Sequence, residues 1–155
     1  MLAVSILRFG YSTGLVAEAW GAFWCQLEGV EPRVGRRRPT VLRGWPRGAG
    51  GLARAGKGDP DFTERWEAYV GGVELCNAYS ELTDPVEQRR RFKEEIARRE
   101  RDGDEPYPID ERFMSALEGG MAACAGAALG LDRLLMLLLG LEHVDQTVTY
   151  PPEWN

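Results

Sequence analysis

The pattern of apolar and polar positions divides the chain into a short series of elements. Trp20, Phe23, Trp24 and Leu27 recur at helical spacing and Gly29 supplies a stop, so residues 20–30 are predicted as an amphipathic core helix. The stretch that follows, as far as Pro60, is rich in Gly, Pro and Arg, and only residues 40–42 look strand-like. A long loop with one short strand is the expectation there. Residues 65–82, RWEAYVGGVELCNAYSEL, read as two strands joined at Gly71-Gly72. Asp84, Pro85 and Glu87 then stand at N-cap, N1 and N3 of a charged helix of about four turns, ending near Gly103 and anchored by Phe92 and Ile96. Asp110 caps a second helix with Phe113, Met114 and Leu117 inward and Gly119-Gly120 as its stop. Residues 124–131 form a strand of small and apolar residues, the apolar run 129–141 a core helix, and residues 144–150 a final strand ended by Pro151-Pro152.

At 155 residues the chain suits one domain with a sizeable core, and its net charge of −5 argues against a general nucleic-acid binder. A tRNA partner is therefore not implied by charge, and Arg36-Arg37-Arg38 reads as a solvated run on a loop. Cys25, Cys76 and Cys124 are odd in number and lack metal-ligand spacing, which fits reduced thiols in the cytoplasm. Residues 1–19 are mildly apolar but interrupted by Arg8 and lack a cleavage site, so they stand as an unassigned segment ahead of residues 20–155. The 129–141 run is too short, and with Asp132 and Arg133 too charged, to span a bilayer, so no membrane partner is expected. Lys57 lacks the Ser or Thr of a P-loop. His143 is the only histidine, with an exposed or capping role expected, and no catalytic triad can be drawn.

The candidate chemistry lies in the predicted hairpin. Glu67, Glu74, Glu81 and Asn77 are polar groups that a purely structural hairpin of aromatic and branched residues does not need. Carboxylates in strands are usually solvated, so an ordinary edge or surface role stands beside the functional one. Arg133 adds a lone cation at a strand-to-helix junction. Carboxylates, a glycine-rich strand and an arginine together suggest a site for a nucleotide and an amine.

ERWEAYVGGVELCNAYSELTDPVEQRRRF followed by AGAALGLDRLLML resembles the C-terminal half of the catalytic domain of class II lysyl-tRNA synthetases, including the glycine-rich strand and arginine of motif 3. Within that family it is more similar to the small branch that attaches β-lysine to elongation factor P. The carriers are GVEPRVGRRRPT, PIDERFMSALEGGMAACAGAALG, and Ala128 where lysyl-tRNA synthetases usually have glycine. The resemblance runs from about Trp20 to about Pro151. It departs at Trp45-Pro46-Arg47-Gly48-Ala49, where the family usually reads closer to Phe-Pro-Ala-Ser-Gln.

The resemblance implies an α+β fold, an antiparallel sheet flanked by helices and incomplete on its N-terminal side. It also implies ATP and Mg2+ as cofactors, with Glu67 and Glu74 holding ATP through magnesium, and Gly130 and Arg133 binding the nucleotide. Arg133 is the implied catalytic residue. Asn77 and Glu81 are implied to grip lysine or β-lysine, with Tyr79 as a pocket wall. The chemistry agrees with this division: magnesium takes one or two carboxylates together with phosphates, and an ammonium in a recessed pocket needs an opposite charge. Motifs 1 and 2 of the family precede the portion matched here and neither is found in the chain. ATP-dependent lysine activation and transfer is thus the implied family function, with the isolated chain expected to be inactive. Its implied partners are elongation factor P, a completing synthetase chain or a second copy. A non-catalytic binding or interaction module derived from such a synthetase is the alternative.

Overall fold

A computed structural model describes residues 3–6 and 34–149, so the predicted helix over residues 20–30 and Cys25 lie outside the described residues. The strands are β1 (Ala3–Ile6), β2 (Thr40–Pro46), β3 (Phe62–Val70), β4 (Val73–Ser80) and β5 (Ala125–Leu129), and the helices are α1 (Pro85–Asp102), α2 (Glu111–Glu118) and α3 (Leu131–Leu139). The strands form one sheet in the order β1-β2-β3-β4-β5. Its last four strands are antiparallel, as expected, and the fold is α+β. A parallel strand was not expected: β1 runs alongside β2, with Ala3 opposite Thr40 and Ile6 opposite Arg43. β2 also runs four residues beyond the predicted strand, through Arg43, Gly44, Trp45 and Pro46. Burial of Leu42 and Trp45 explains the extension, because packing overrides the poor strand propensity of glycine and proline.

By contact density the chain divides into two compact units. The first comprises residues 1–44, 65–78 and 127–155. Its buried side chains include Leu42, Tyr69, Ala78 and Met136, together with the carboxylate of Glu67. The turn between β3 and β4 has φ of +64° at Gly71 and +87° at Gly72, the left-handed pair a tight two-residue hairpin turn requires. α3 follows Gly130 and ends at Gly140 in the left-handed conformation. It is not the core helix the apolar run suggested. Leu131, Leu135, Leu138 and Leu139 are all exposed, and Met136 is its buried residue. The predicted strand over residues 144–150 is likewise replaced, by a 3-10 turn at Val144–Thr147. Local bonds explain this: Gln146 Oε1 accepts from the backbone N–H groups of Glu142 and His143, and Thr147 Oγ1 donates to Val144 O. Such side-chain bonds compete with a strand ladder. His143 stands at the N-cap of that turn, in the capping place expected of it.

The second unit comprises residues 45–64 and 79–126, and its core holds Trp45, Ala53, Met114 and Leu117. Asp84 caps α1 by accepting from the N–H groups of Val86 and Glu87, and Gly103 closes the helix at φ +80°. The helix has 18 residues, five turns rather than four. Asp110 caps α2 in the same way through Arg112 and Phe113. The two helices pack through Phe92 and Phe113, ring centres 5.9 Å apart, and Arg89 grips Glu111 with two bonds of 2.9 and 2.8 Å. Phe113 is exposed at the rim of that contact, while Met114 and Leu117 point inward as predicted.

Glu87 organises this unit. Its carboxylate gathers three guanidinium groups. It accepts from Arg47 at 2.7 Å, Arg90 at 2.8 Å and Arg91 at 3.0 Å. Arg91 in turn donates to the carbonyls of Gly51 and Ala53, tying α1 to the loop before β3. The bond from Arg90, joined by those from Arg47 and Arg91, holds the Glu87 carboxyl well below its ordinary range. A carboxylate depressed in the folded state contributes stability that is complete above its unfolded value and is lost as pH falls through the folded one. Glu87→Gln should therefore cost on the order of 1 to 3 kcal/mol near neutral pH. The gap to wild type should narrow once the pH drops below the ordinary 4.5. Urea unfolding of both proteins across that range checks this, and a gap independent of pH would refute it.

Candidate functional site

In the first unit, the candidate residues Glu67 and Asn77 form one pair and Glu74 and Arg133 another, with Gly130 at the start of α3. The Glu67 side chain is buried on β3, where residues two apart share a face. Its Oε1 accepts from Arg65 at 2.7 Å and from Asn77 Nδ2 at 3.3 Å, and its Oε2 accepts from the Tyr69 hydroxyl at 2.7 Å. Three donors thus compensate a desolvated charge. Burial nevertheless dominates and pushes the Glu67 carboxyl up, the nearby Glu74 charge acting the same way while Tyr69 and Arg65 oppose them. Arg65 and Tyr69 are site residues that the sequence reading did not single out. Their signal was available, since both lie two positions from Glu67 on a period-2 strand.

Asn77 completes that cluster, and its Oδ1 is buried without a hydrogen-bond partner among the described residues. A buried acceptor or donor in this state is costly unless something fills it. The second pair joins Glu74 and Arg133. Arg133 Nη1 donates to the Glu74 carbonyl at 2.8 Å and stands 3.6 Å from the Glu74 carboxylate. Gly130 caps α3 and its N–H donates to Leu75 O at 2.9 Å, so this amide is engaged within the sheet. Burial, with the Glu74 charge beside it, also raises the Cys76 thiol.

In the second unit stand Tyr79, half-buried at the end of β4, and Glu81. The Glu81 backbone is held on both sides: it bridges antiparallel to Ala53, and its N–H donates to Cys124 O at 3.0 Å. Its carboxylate lies against the backbone of Gly126, where an added Cβ would stand 2.6 Å from Oε1. The space at Gly126 is thus taken by Glu81. Trp45 and Arg47, in the segment that departs from the family pattern, serve the core and the Glu87 network.

A hairpin lined with carboxylates, followed by a glycine-rich strand running into an arginine at a helix start, is the arrangement on which the comparison with known proteins turns. The model of the class II tRNA synthetase family, the D, K and N group, matches residues 30–153. The chain belongs to that family. Among curated relatives of this class II chain, the elongation factor P–(R)-β-lysine ligase of Proteus mirabilis is 44% identical over 125 residues, covering 81% of this chain and 38% of the relative. The ligases of the same name from Vibrio vulnificus and Vibrio cholerae are each 42% identical over 123 residues, covering 79% of this chain and 38% of theirs. The chain therefore spans a little over a third of the length of these relatives. No helix among the described residues is long and apolar enough to cross a membrane.

The Tyr69 bond gives the class II hairpin a measurable signature. A carboxyl whose folded value stands above its ordinary 4.5 favours the folded state most when protonated, so stability falls as pH rises through the folded value. Tyr69→Phe removes a donor to the ionised form and should raise the Glu67 value further. Its cost should be on the order of 1.5 to 3 kcal/mol near neutral pH and smaller in acid. Chemical denaturation at both pH values, with carbon-detected NMR titration of Glu67, checks it. Equal costs at both would show that the phenol does not act on the charge.

Proposed function

We propose that this chain carries the amino-acid and nucleotide-binding portion of a cytoplasmic ATP-dependent ligase that activates lysine or β-lysine, with elongation factor P as acceptor. The observation that carries this reading is an asymmetry of charge. Glu67 is paired with Arg65 and Glu74 faces Arg133, whereas the Glu81 carboxylate has no cationic partner among the described residues. A half-buried carboxylate held on a rigid backbone without counter-charge is suited to accept a primary ammonium. Asn77 would orient the carboxylate of the amino acid through its amide, and Tyr79 would wall the pocket. Arg133 and Gly130 would serve the nucleotide.

The residues fit a magnesium ion that brings most of its ligands as phosphate oxygens and water. The Glu74 charge adds to the cost of ionising Glu67, a repulsion that a cation would relieve. Glu74 is the more open ligand, with its side chain 34% exposed, while Glu67 already accepts three bonds. Bound there, magnesium would neutralise phosphate charge. The protein's own share of the activation step is positioning, since the carboxylate of the substrate attacks the α-phosphate and displaces pyrophosphate without a protein nucleophile.

The internal contacts of Arg133 favour a second reading, a non-catalytic module, because its guanidinium is already engaged with Glu74. Lysine-dependent exchange between ATP and pyrophosphate separates the two. A robust rate on the purified chain excludes the silent module. At the level of binding, Glu81→Gln should weaken lysine by on the order of 2 to 5 kcal/mol and leave ATP unaffected. Arg133→Ala should do the reverse. Titration calorimetry on both variants measures this, and equal losses for both ligands would remove the division of labour.

The exposed leucines of α3 support a protein partner, either a completing synthetase chain or a second copy. The purified chain should self-associate, and Leu138→Gln combined with Leu139→Gln should reduce it. Light scattering that reports a clean monomer of the unmodified chain at high concentration would count against this.

A further inference from the structure

Gly126 is the second residue of β5, and its backbone does not require a glycine. Its φ is not among the positive values of the chain, so an L-residue could adopt the same conformation. Glycine inside a strand is less favourable than alanine. The reason for it must therefore lie in space, and the neighbour that needs the space is the Glu81 carboxylate, 2.6 Å from where a Cβ would be.

The surroundings leave Glu81 little freedom apart from its side-chain torsions. Arg54 N–H donates to Ser80 O at 2.9 Å, Leu82 N–H to Leu52 O at 2.8 Å, and Glu81 N–H to Cys124 O at 3.0 Å. The main chain around Glu81 is thus pinned to the loop segment on one side and to the approach of β5 on the other. Among the described residues, no hydrogen bond or ion pair to a side chain fixes the carboxylate. It rests against the backbone of Gly126.

We infer that Gly126 is a positioning residue for Glu81: the missing Cβ lets the carboxylate withdraw against the β5 backbone, and this sets the depth at which a primary ammonium of a cationic amino acid is held. The inference rests on the reading of Glu81 as the ammonium acceptor. Any side chain at residue 126 would push the carboxylate outward and shorten the space for the alkyl chain of the ligand. A misplacement of this size acts on binding through geometry alone, because the charge is retained.

The test is a double-mutant cycle on the full chain. Gly126→Ala should lower lysine affinity about ten- to hundredfold, with ATP affinity and thermal midpoint close to wild type. Glu81→Asp alone should also weaken lysine. In the Gly126→Ala background the same change should restore part of the loss, because a shorter side chain clears the added methyl. Additive losses, or unchanged lysine affinity in Gly126→Ala, would overturn the inference and leave the role of Glu81 standing. A second readout needs no ligand: the Glu81 side-chain carboxyl resonance should shift in Gly126→Ala while that of Glu67 stays in place. If the unmodified chain does not bind lysine, the ammonium reading fails, and this resonance still decides the matter, an unmoved signal refuting the positioning role.

Discussion

The first unit depends on the burial of one carboxylate. Removing the Glu67 charge from water costs several kcal/mol unless its lone pairs are met by well-placed donors. Arg65, Tyr69 and Asn77 meet three of them, two from its own strand and one from β4. That requirement ties β4 to β3, because a slip of one residue between them would carry Asn77 to the other face. The Gly71-Gly72 turn and the buried charge therefore specify the same register, one through backbone conformation and the other through electrostatics. In the second unit a comparable task falls to Glu87, whose three arginines come from the loop after β2 and from α1 itself.

The three glutamates of the hairpin region look alike in sequence and differ in what the fold does with them. Glu67 is buried and accepts three bonds, Glu74 is partly open beside a guanidinium, and Glu81 is half-buried without a counter-charge among the described residues. Membership of the class II family gives a reason for such acidic content in an apolar framework. The structure adds the physical difference among the three, which follows from partners rather than from residue type.

Much of the fold was legible in the chain, because the decisive signals were local. Two successive glycines between strand-like runs, aspartates ahead of both surface helices and Gly103 after the first each act within a few residues of themselves. What escaped was set at a distance. The length of β2 depends on burial of Trp45, the partner of Arg133 lies 59 residues away in Glu74, and the exposure of α3 depends on what packs against it. Hydrophobicity identified α3 as a helix with a face to bury but carried no information on its partner. The strand expected over residues 144–150 failed for the opposite reason, since bonds from Gln146 and Thr147 to nearby backbone are local but invisible to an apolar-polar pattern. Of the candidate site, the carboxylates could be named from their setting, whereas the clearance at Gly126 required coordinates.

The Gly71-Gly72 turn also bears on the order in which the molecule assembles. A two-residue turn closes the shortest loop a pair of strands can have, and loops of this kind form on a microsecond scale. Every described donor to Glu67 lies within ten residues of it along the chain. Closing the hairpin therefore delivers the compensating groups before contacts of high sequence separation, such as that between Glu74 and Arg133, have to form. The charge that is most costly to desolvate is never left waiting for distant parts of the chain.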